Sequence, residues 1–88
     1  SPSMDVYPNP VVGRILQIQF SGYPSGTYSL ALYDGKGQQF SFPVIQIQDG
    51  QSIHSIKIPQ LLSTGIYRLK VIGPGNTRAT KTINISDQ

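Results

Sequence analysis

The stretch Ile66-Tyr67-Arg68-Leu69-Lys70-Val71-Ile72 decides the fold class, because charged and apolar side chains alternate from Tyr67 to Val71. Successive side chains of a β-strand point to opposite faces of the sheet. Tyr67, Leu69 and Val71 therefore share one face, which we expect to be buried, while Arg68 and Lys70 face solvent. The alternation predicts a half-buried β-strand over these residues.

Comparable alternating runs recur along the chain, and clusters of Gly, Pro, Asp and Asn separate them at intervals of about 8–12 residues. No segment shows a helical period of 3.6 residues. We predict a short extended lead-in and six strands: Asp5–Tyr7, then Arg14–Phe20, Thr27–Tyr33, Gln38–Gln48, Gln51–Ile58, Ile66–Ile72 and Thr77–Ile85. This pattern predicts an all-β fold, an Ig-like or fibronectin-like antiparallel β-sandwich of about seven strands.

The fourth predicted strand changes its apolar phase, since Phe40, Phe42 and Val44 are even-numbered whereas Ile45 and Ile47 are odd-numbered. The strand must therefore bury opposite faces in its two halves. We expect a bend or a strong twist near Pro43, because proline cannot donate a ladder hydrogen bond and disrupts regular pairing.

The fourth and fifth strands are expected to form a hairpin through Gln48-Asp49-Gly50, with Gly50 in the left-handed conformation. In this register Ile45 lies opposite Ile53, and His54 lies opposite Val44. A two-residue Asp-Gly turn is the alternative, and it places Ile45 opposite His54. Because a shift of one residue exchanges the two faces of a strand, we favour the first register.

Composition limits the chain to one small domain, residues 1–88 with a core over about 6–85. Its core is thin and leaves little room for a deep substrate cavity. There is no cysteine, so neither a disulfide nor a thiolate metal site is possible. The net charge of +3 comes from dispersed residues, which favours a solvated basic surface over nucleic-acid binding. No apolar stretch is long enough to span a bilayer.

Residues that could support catalysis are sparse. The one histidine, His54, lies between Ile53 and Ser55 on a predicted strand and is expected to be solvated. Pairing with Ser52 or Ser55 as nucleophile is not favoured, because no acid is evident to orient the imidazole. The aspartates are isolated in turns or near the ends of the chain. No catalytic residue, metal ligand or cofactor site is therefore expected.

Two leucines and two tyrosines carry further structural expectations. Leu61 and Leu62 follow the strand-breaking Pro59 and are expected to cap the core. Tyr23 and Tyr33 lie in a turn and at a strand end. They are either exposed, where they could stack on a sugar ring, or packed at the edge of the core, which we favour.

Three phrases carry a signal beyond the strand pattern: Tyr7-Pro8-Asn9-Pro10, Gly65-Ile66-Tyr67 within Leu62–Val71, and Lys81-Thr82-Ile83-Asn84-Ile85. Their order and spacing resemble the C-terminal sorting domain of type IX secretion cargo, over nearly the whole chain. The sequence departs from that family near its end, where Thr80 precedes Lys81 and Asp87-Gln88 are the last residues. Members of the family often have two adjacent basic residues there and finish on lysine.

The resemblance implies a non-catalytic signal that directs an upstream cargo through the outer-membrane type IX translocon to the cell surface of a Gram-negative bacterium. It implies sorting-motif roles for Tyr7, Pro8, Asn9, Pro10, Gly65, Ile66, Tyr67, Lys81, Ile83 and Ile85. A surface peptidase is expected to cleave near or before Ser1, and cargo of this family is also attached to lipopolysaccharide. Since the first residue is Ser1, we expect a segment of a longer polypeptide whose own targeting signal lies upstream.

Two other possibilities remain open at this stage. The chain could be a fibronectin-like binding or spacer module beside an extracellular enzyme, and exposed coplanar tyrosines would then favour glycan binding. An unpaired edge strand could also support a homodimer.

Overall fold

The computed structural model describes residues 2–48 and 50–86. Seven strands form, and each matches a predicted run to within a few residues. They are β1 (Ser3–Tyr7), β2 (Ile15–Ser21), β3 (Gly26–Tyr33), β4 (Gln39–Ile47), β5 (Gln51–Lys57), β6 (Gly65–Ile72) and β7 (Arg78–Ile85).

The strands form two antiparallel sheets. The smaller sheet has the order β1-β2-β5 and the larger sheet has the order β4-β3-β6-β7. Their apolar faces enclose one core, so the predicted all-β, Ig-like sandwich of about seven strands is confirmed. Consecutive strands repeatedly change sheets, as in a Greek-key sandwich, and the first and last strands lie at sheet edges.

The predicted hairpin between β4 and β5 is wrong, because the two strands belong to different sheets. Ile45 pairs with Tyr28 of β3, not with Ile53, and His54 pairs with Ile18 of β2, not with Val44. The short connection carries the chain from one sheet to the other. Gly50 does have the expected positive φ, at 95°, whereas Asp49 lies outside the described residues.

A bulge in β4 explains the change of apolar phase at Pro43. Tyr28 pairs with Ile45 and Leu30 pairs with Phe42, so two residues of β4, Pro43 and Val44, stand opposite the single residue between them on β3. An extra residue in one strand exchanges the faces of its two halves. The expected distortion at Pro43 is confirmed, although the partner strand is β3.

The core lies between the sheets and includes a cluster of aromatic rings. Phe20 contacts Tyr23 edge-on at a centroid distance of 5.7 Å and Tyr28 at 6.2 Å. The most deeply buried side chains come from both sheets and from Val11 and Ile58, which lie outside the strands. They are Val11, Leu16, Ile18, Phe20, Tyr28, Leu30, Leu32, Ile47, Ile58, Leu69, Ile83 and Ile85.

One of the two leucines expected to cap the core does so. Leu62 is buried, but Leu61 is 79% exposed, so the prediction for Leu61 is wrong. The guanidinium of Arg14 donates hydrogen bonds to the carbonyls of Pro59 and Leu62. These bonds fix the β5–β6 connection with Leu62 inward and leave its neighbour in solvent.

The beginnings of β3 and β6 share one local construction, a repeat that the sequence pattern did not indicate. Gly26 and Gly65 have φ of 148° and 141°, and a tyrosine follows each glycine after one residue. The Tyr28 hydroxyl donates to Pro24 O at 2.6 Å, and the Tyr67 hydroxyl donates to Ser63 O at 2.7 Å. Each bond reaches back four residues, which is the tyrosine corner of Ig-like sandwiches formed twice.

We expect Gly73→Ala to destabilise the domain by roughly 2 kcal/mol, since an added methyl group overlaps the Tyr28 ring and overpacks the core. Gly35→Ala is the matched control, because its added methyl group meets no neighbouring atom within 4 Å. Urea unfolding monitored by tyrosine fluorescence measures both variants. Equal stabilities for the two would contradict the close packing of Gly73 on Tyr28.

Candidate recognition site

The Tyr7-Pro8-Asn9-Pro10 phrase forms the crossover between the two sheets. Tyr7 ends β1 in the smaller sheet, and Val11 forms a parallel bridge with Ile85 in the larger sheet. The Tyr7–Pro8 and Asn9–Pro10 peptide bonds are cis. As expected from the two prolines, the chain leaves the first sheet at this point.

Asn9 binds the outer edge of β7 with its side chain. Its Nδ2 donates to Thr82 O at 3.2 Å, and its Oδ1 accepts from the Asn84 backbone N–H at 3.0 Å. The flanking prolines have no N–H to offer, so the amide side chain supplies the donor and the acceptor that a neighbouring strand would provide.

Backbone bonds continue the cap beyond Asn9. Val11 N–H donates to Asn84 O at 2.7 Å, and Ser86 N–H donates to Val11 O at 2.9 Å. The side chain of Asn9 and the backbone of Val11 therefore occupy consecutive outward-facing groups of β7 from Thr82 to Ser86. We refer to the segment 9–11 as the β7 cap.

The second phrase pairs with the inner edge of the same strand. Gly65 lies opposite Ile85, and Tyr67 lies opposite Ile83. The three phrases are thus contiguous: residues 65–67 lie on one side of β7, the third phrase forms β7 itself, and the β7 cap lies on the other side. Sequence reasoning predicted the phrases as separate features and did not predict that β7 joins them.

The motif residues other than Gly65, which is half-buried, divide into buried and exposed sets. Tyr67, Ile83 and Ile85 are buried, and the Tyr67 ring contacts Phe40 edge-on at a centroid distance of 6.4 Å. The expected core position of Tyr67 is therefore confirmed. The exposed set consists of Tyr7, Pro8, Asn9, Pro10, Ile66 and Lys81.

A shallow groove lies beside the N-terminal half of β7, before the β7 cap begins. Residues 2–5 line one wall, residues 78–81 line the other, and Tyr23 also contributes. Asp5 therefore shares this groove with Arg78 and Lys81. The groove connects the start of β1 with the part of β7 that precedes Thr82.

His54 does not lie in solvent, so the prediction for this residue is wrong. It points toward the sandwich interior, where its ring meets Phe20 edge-on at a centroid distance of 5.9 Å. Its Nε2 is buried and has no hydrogen-bond partner among residues 2–48 and 50–86. Even-numbered residues of β5 face inward because His54 pairs with the inward-facing Ile18. Ser55, on the opposite face, donates to Gln17 Oε1 at 2.9 Å.

Acidic groups are not gathered into a metal site in the described part of the chain, where no three His, Cys, Asp or Glu side chains cluster. Asp34 Oδ1 accepts hydrogen bonds from the backbone N–H of Lys36 at 2.9 Å and of Gln38 at 2.8 Å. This carboxylate therefore organises the β3–β4 turn, which is the role that the turn sequence indicated.

The tyrosines do not form an exposed coplanar platform. Tyr23 is buried, and its ring meets Tyr28 edge-on at 6.3 Å. Burial and the adjacent Tyr23 phenol raise the pKa of the Tyr28 hydroxyl above its ordinary value. The ring of Tyr33 is covered by the Lys70 ammonium, 4.7 Å from the ring centroid. The favoured expectation, packing at the edge of the core, is confirmed for Tyr23, and the arrangement does not favour glycan stacking.

The family model of the secretion system C-terminal sorting domain matches residues 5–86. The chain belongs to this family. The predicted resemblance is therefore confirmed, and the domain is a sorting signal of type IX secretion. Membership implies interaction with the secretion system and with an upstream cargo, and it implies passage across the outer membrane. Across residues 2–48 and 50–86, the sorting domain has no helix with the length and apolar character of a membrane span.

Among solved structures, the sorting domain is similar to a superoxide reductase (neelaredoxin) from Ignicoccus hospitalis. The TM-score is 0.56 at 12% sequence identity, and the match covers 100% of this chain and 80% of the other. At that identity the likeness extends to the fold alone. No curated protein matches the sequence.

We expect Asn9→Ala to lower the free energy of unfolding by about 1–2 kcal/mol, because two hydrogen bonds to β7 are lost. Hydrogen exchange at the Asn84 amide should accelerate, while the Ile83 amide, which points toward β6, should remain protected. Asn76→Ala, in the exposed β6–β7 turn, is the matched control and should change neither quantity. Unchanged exchange at Asn84 would contradict the bonding of the β7 cap.

We expect His54→Leu to stabilise the domain by about 1 kcal/mol, because it removes a buried nitrogen that lacks a partner while filling similar space. His54→Asn keeps a polar group there and loses the contact with Phe20, so it should be destabilising. Thermal unfolding followed by circular dichroism distinguishes the two outcomes. A leucine variant less stable than the parent would show that His54 is satisfied in solution.

Proposed function

We propose that this domain directs an upstream cargo through the outer-membrane type IX translocon and performs no reaction itself. The observation that carries the proposal is the convergence of three sequence phrases on one strand, β7, with Asn9 on its outer edge and Gly65-Ile66-Tyr67 on its inner edge. The phrases typical of the family therefore define one continuous structural unit. A translocon can recognise such a unit as a folded shape.

The buried and exposed motif residues have different roles in this proposal. Tyr67, Ile83 and Ile85 hold β7 against the core, where they are inaccessible to a partner. Tyr7 precedes the β7 cap, and Lys81 lies in β7 just before its capped part. Both are exposed, so we assign them to the contact with the translocon. Asn9 contributes to both roles. It bonds to β7, and it thereby fixes the position of the crossover that holds the exposed Tyr7.

The start of β1 limits where a surface peptidase can release the domain. Ser3 pairs with Ser21, and the next residue, Met4, is buried in the core. Cleavage within β1 would remove an edge strand and a core side chain from the sandwich. We therefore propose that release from the cargo occurs before Ser3, which leaves the folded signal intact.

An export assay tests the proposal. Residues 1–88 are fused to the C-terminus of a periplasmic reporter in a host that has a type IX system, and reporter activity is measured in the medium and the periplasm. The expected result is export of the fusion and periplasmic retention of the reporter alone. Retention of a folded fusion would overturn the proposed function.

A matched pair of double variants separates recognition from folding. Tyr7→Ser with Lys81→Gln changes one apolar and one basic exposed residue of the proposed contact, and we expect export to fall at least about tenfold, the equivalent of about 1.4 kcal/mol of binding. Ile53→Ser with Lys57→Gln likewise replaces one exposed apolar and one exposed basic residue, here on β5, and should leave export unchanged. Both must retain the parent's melting temperature. Equal export by the two variants would exclude Tyr7 and Lys81 as contacts.

A further inference from the structure

The larger sheet has an uneven distribution of charge. Its four strands contain four basic residues and no acidic residue, and all four strands lie within the described part of the chain. Arg68 and Lys70 face outward, because they alternate with the buried Leu69 and Val71 along β6. Arg78 also faces outward, because it pairs with the outward-facing Ile72. Lys81 lies opposite the buried Leu69 and therefore does not belong to this outer face. The outer face of this sheet is therefore cationic.

Short hydroxyl side chains lie beside the basic residues of β6 on this face. Arg68 lies opposite Thr82 and Lys70 lies opposite Thr80, so short hydroxyl side chains separate the basic ones. Neighbouring strands are about 4.8 Å apart and alternate residues on one strand are about 6.8 Å apart. Three positive charges consequently occupy one patch of the sheet, and they can approach a flat anionic surface together.

Aromatic and aliphatic side chains complete the same face. The Lys70 ammonium rests over the Tyr33 ring, a contact that holds the cation near the sheet. Ile66 and Ile72, at the two ends of β6, are 59% and 41% exposed. Cations flanked by an aromatic ring and exposed aliphatic groups are the combination that binds the interface of an anionic bilayer.

A shallow hollow at one end of the face could receive a lipid headgroup. Its lining combines the cationic strand β6 with the β3–β4 turn and includes Tyr33, Gly35, Gly37, Ile66, Arg68 and Lys70. Asp34 also borders it, with one carboxylate oxygen bonded to two turn amides. The hollow is open and wide, so it fits a headgroup at a surface better than an enclosed small molecule.

The outer face of the smaller sheet differs in charge. Its strands contribute one acidic residue, Asp5, and one exposed basic residue, Lys57, and glutamine and serine predominate between them. The sandwich therefore has one cationic face and one nearly neutral face. An anionic plane would orient the domain with the larger sheet toward it, because attraction to such a surface falls off within a Debye length.

We propose that the outer face of the larger sheet, formed by Tyr33, Ile66, Arg68, Lys70, Ile72 and Arg78, docks reversibly on anionic phospholipid headgroups of a bilayer. The open surface favours a bilayer over an acidic protein, because the hollow beside Arg68 and Lys70 is shallow and Arg78 lies outside it. The attachment would confine the domain to a membrane surface. This proposal does not depend on export, and its test is independent of the test of the sorting role.

Vesicle sedimentation tests the proposal with the folded 88-residue domain. The probes are vesicles of phosphatidylcholine alone and of phosphatidylcholine with phosphatidylglycerol in equal parts. We expect binding to the anionic vesicles at low salt, loss of binding at high salt, and no binding to the neutral vesicles. An absence of binding to anionic vesicles at low salt would overturn the proposal.

Two variants with equal loss of charge identify the face. Each cation near an anionic surface contributes roughly a factor of five in partitioning. Arg68→Gln with Lys70→Gln should therefore reduce the partition coefficient by about 25-fold, whereas Lys57→Gln with Lys81→Gln should reduce it less than about threefold. Circular dichroism and melting temperature verify that both remain folded. Equal reductions would attribute binding to net charge and reject the face.

A competition experiment separates the bilayer from an acidic protein partner. Polyglutamate is titrated into the domain in the absence and in the presence of anionic vesicles, with the Arg68→Gln, Lys70→Gln variant as control. The proposal expects vesicles to bind the parent domain more tightly than polyglutamate does at equal salt. Saturable binding of polyglutamate through Arg68 and Lys70, without vesicle binding, would assign the face to an acidic protein and overturn the lipid proposal.

Discussion

The hydrogen bonds between the Asn9 side chain and β7 are the constraint on which the arrangement of the domain depends. A sandwich of this size has edge strands with unpaired backbone groups, and such groups are open to pairing with other chains. Asn9 and Val11 occupy the outer edge of β7 from Thr82 to Ser86. The first part of the chain thereby fixes the last strand, and the two sheets are joined along one side.

The chemistry of the crossover follows from its two prolines. Pro8 and Pro10 remove backbone donors from a segment that lies against a strand edge, and the amide of Asn9 replaces them with one donor and one acceptor. Aspartate at this position could accept a hydrogen bond from Asn84 but could not donate to Thr82. The amide at position 9 is therefore explained by the hydrogen bonds that it makes to the edge of β7, without any contact with a partner.

The positions of the strands and most of their buried faces could be predicted from sequence, because an alternating pattern directly encodes which side chains share a face. The partners of the strands could not, since pairing depends on which sheet each strand joins. The connection at residues 48–50 resembles a hairpin turn, yet β4 pairs with β3 and β5 pairs with β2. The solvated position predicted for His54 is consequently wrong, whereas the irregularity expected at Pro43 is present as a bulge against β3.

In the candidate site, too, the local sequence features could be predicted but their spatial arrangement could not. The three phrases can be found in the sequence, and the prolines indicate that the chain leaves a sheet near Tyr7. The meeting of the phrases on β7 could not be predicted, because Asn9 and Asn84 are distant in sequence and their contact depends on the completed sandwich. The sequence allows an electrostatic face of Arg68, Lys70, Arg78 and Lys81 but favours scattered charges. The pairing of β6 with β7 places the first three on one face and Lys81 on the other phase.

The parallel contact between Val11 and Ile85 has a mechanical consequence. Consider two parallel segments, one pulled at its N-terminal end and the other at its C-terminal end. The hydrogen bonds between them then bear the force together, in shear. When an antiparallel pair is pulled apart from one end, by contrast, its hydrogen bonds break one after another. Tension between a passenger ahead of residue 9 and a motor holding the end of β7 would load the bonds of Asn9 and Val11 simultaneously. Under such tension the bonds of Asn9 and Val11 to β7 would have to break together.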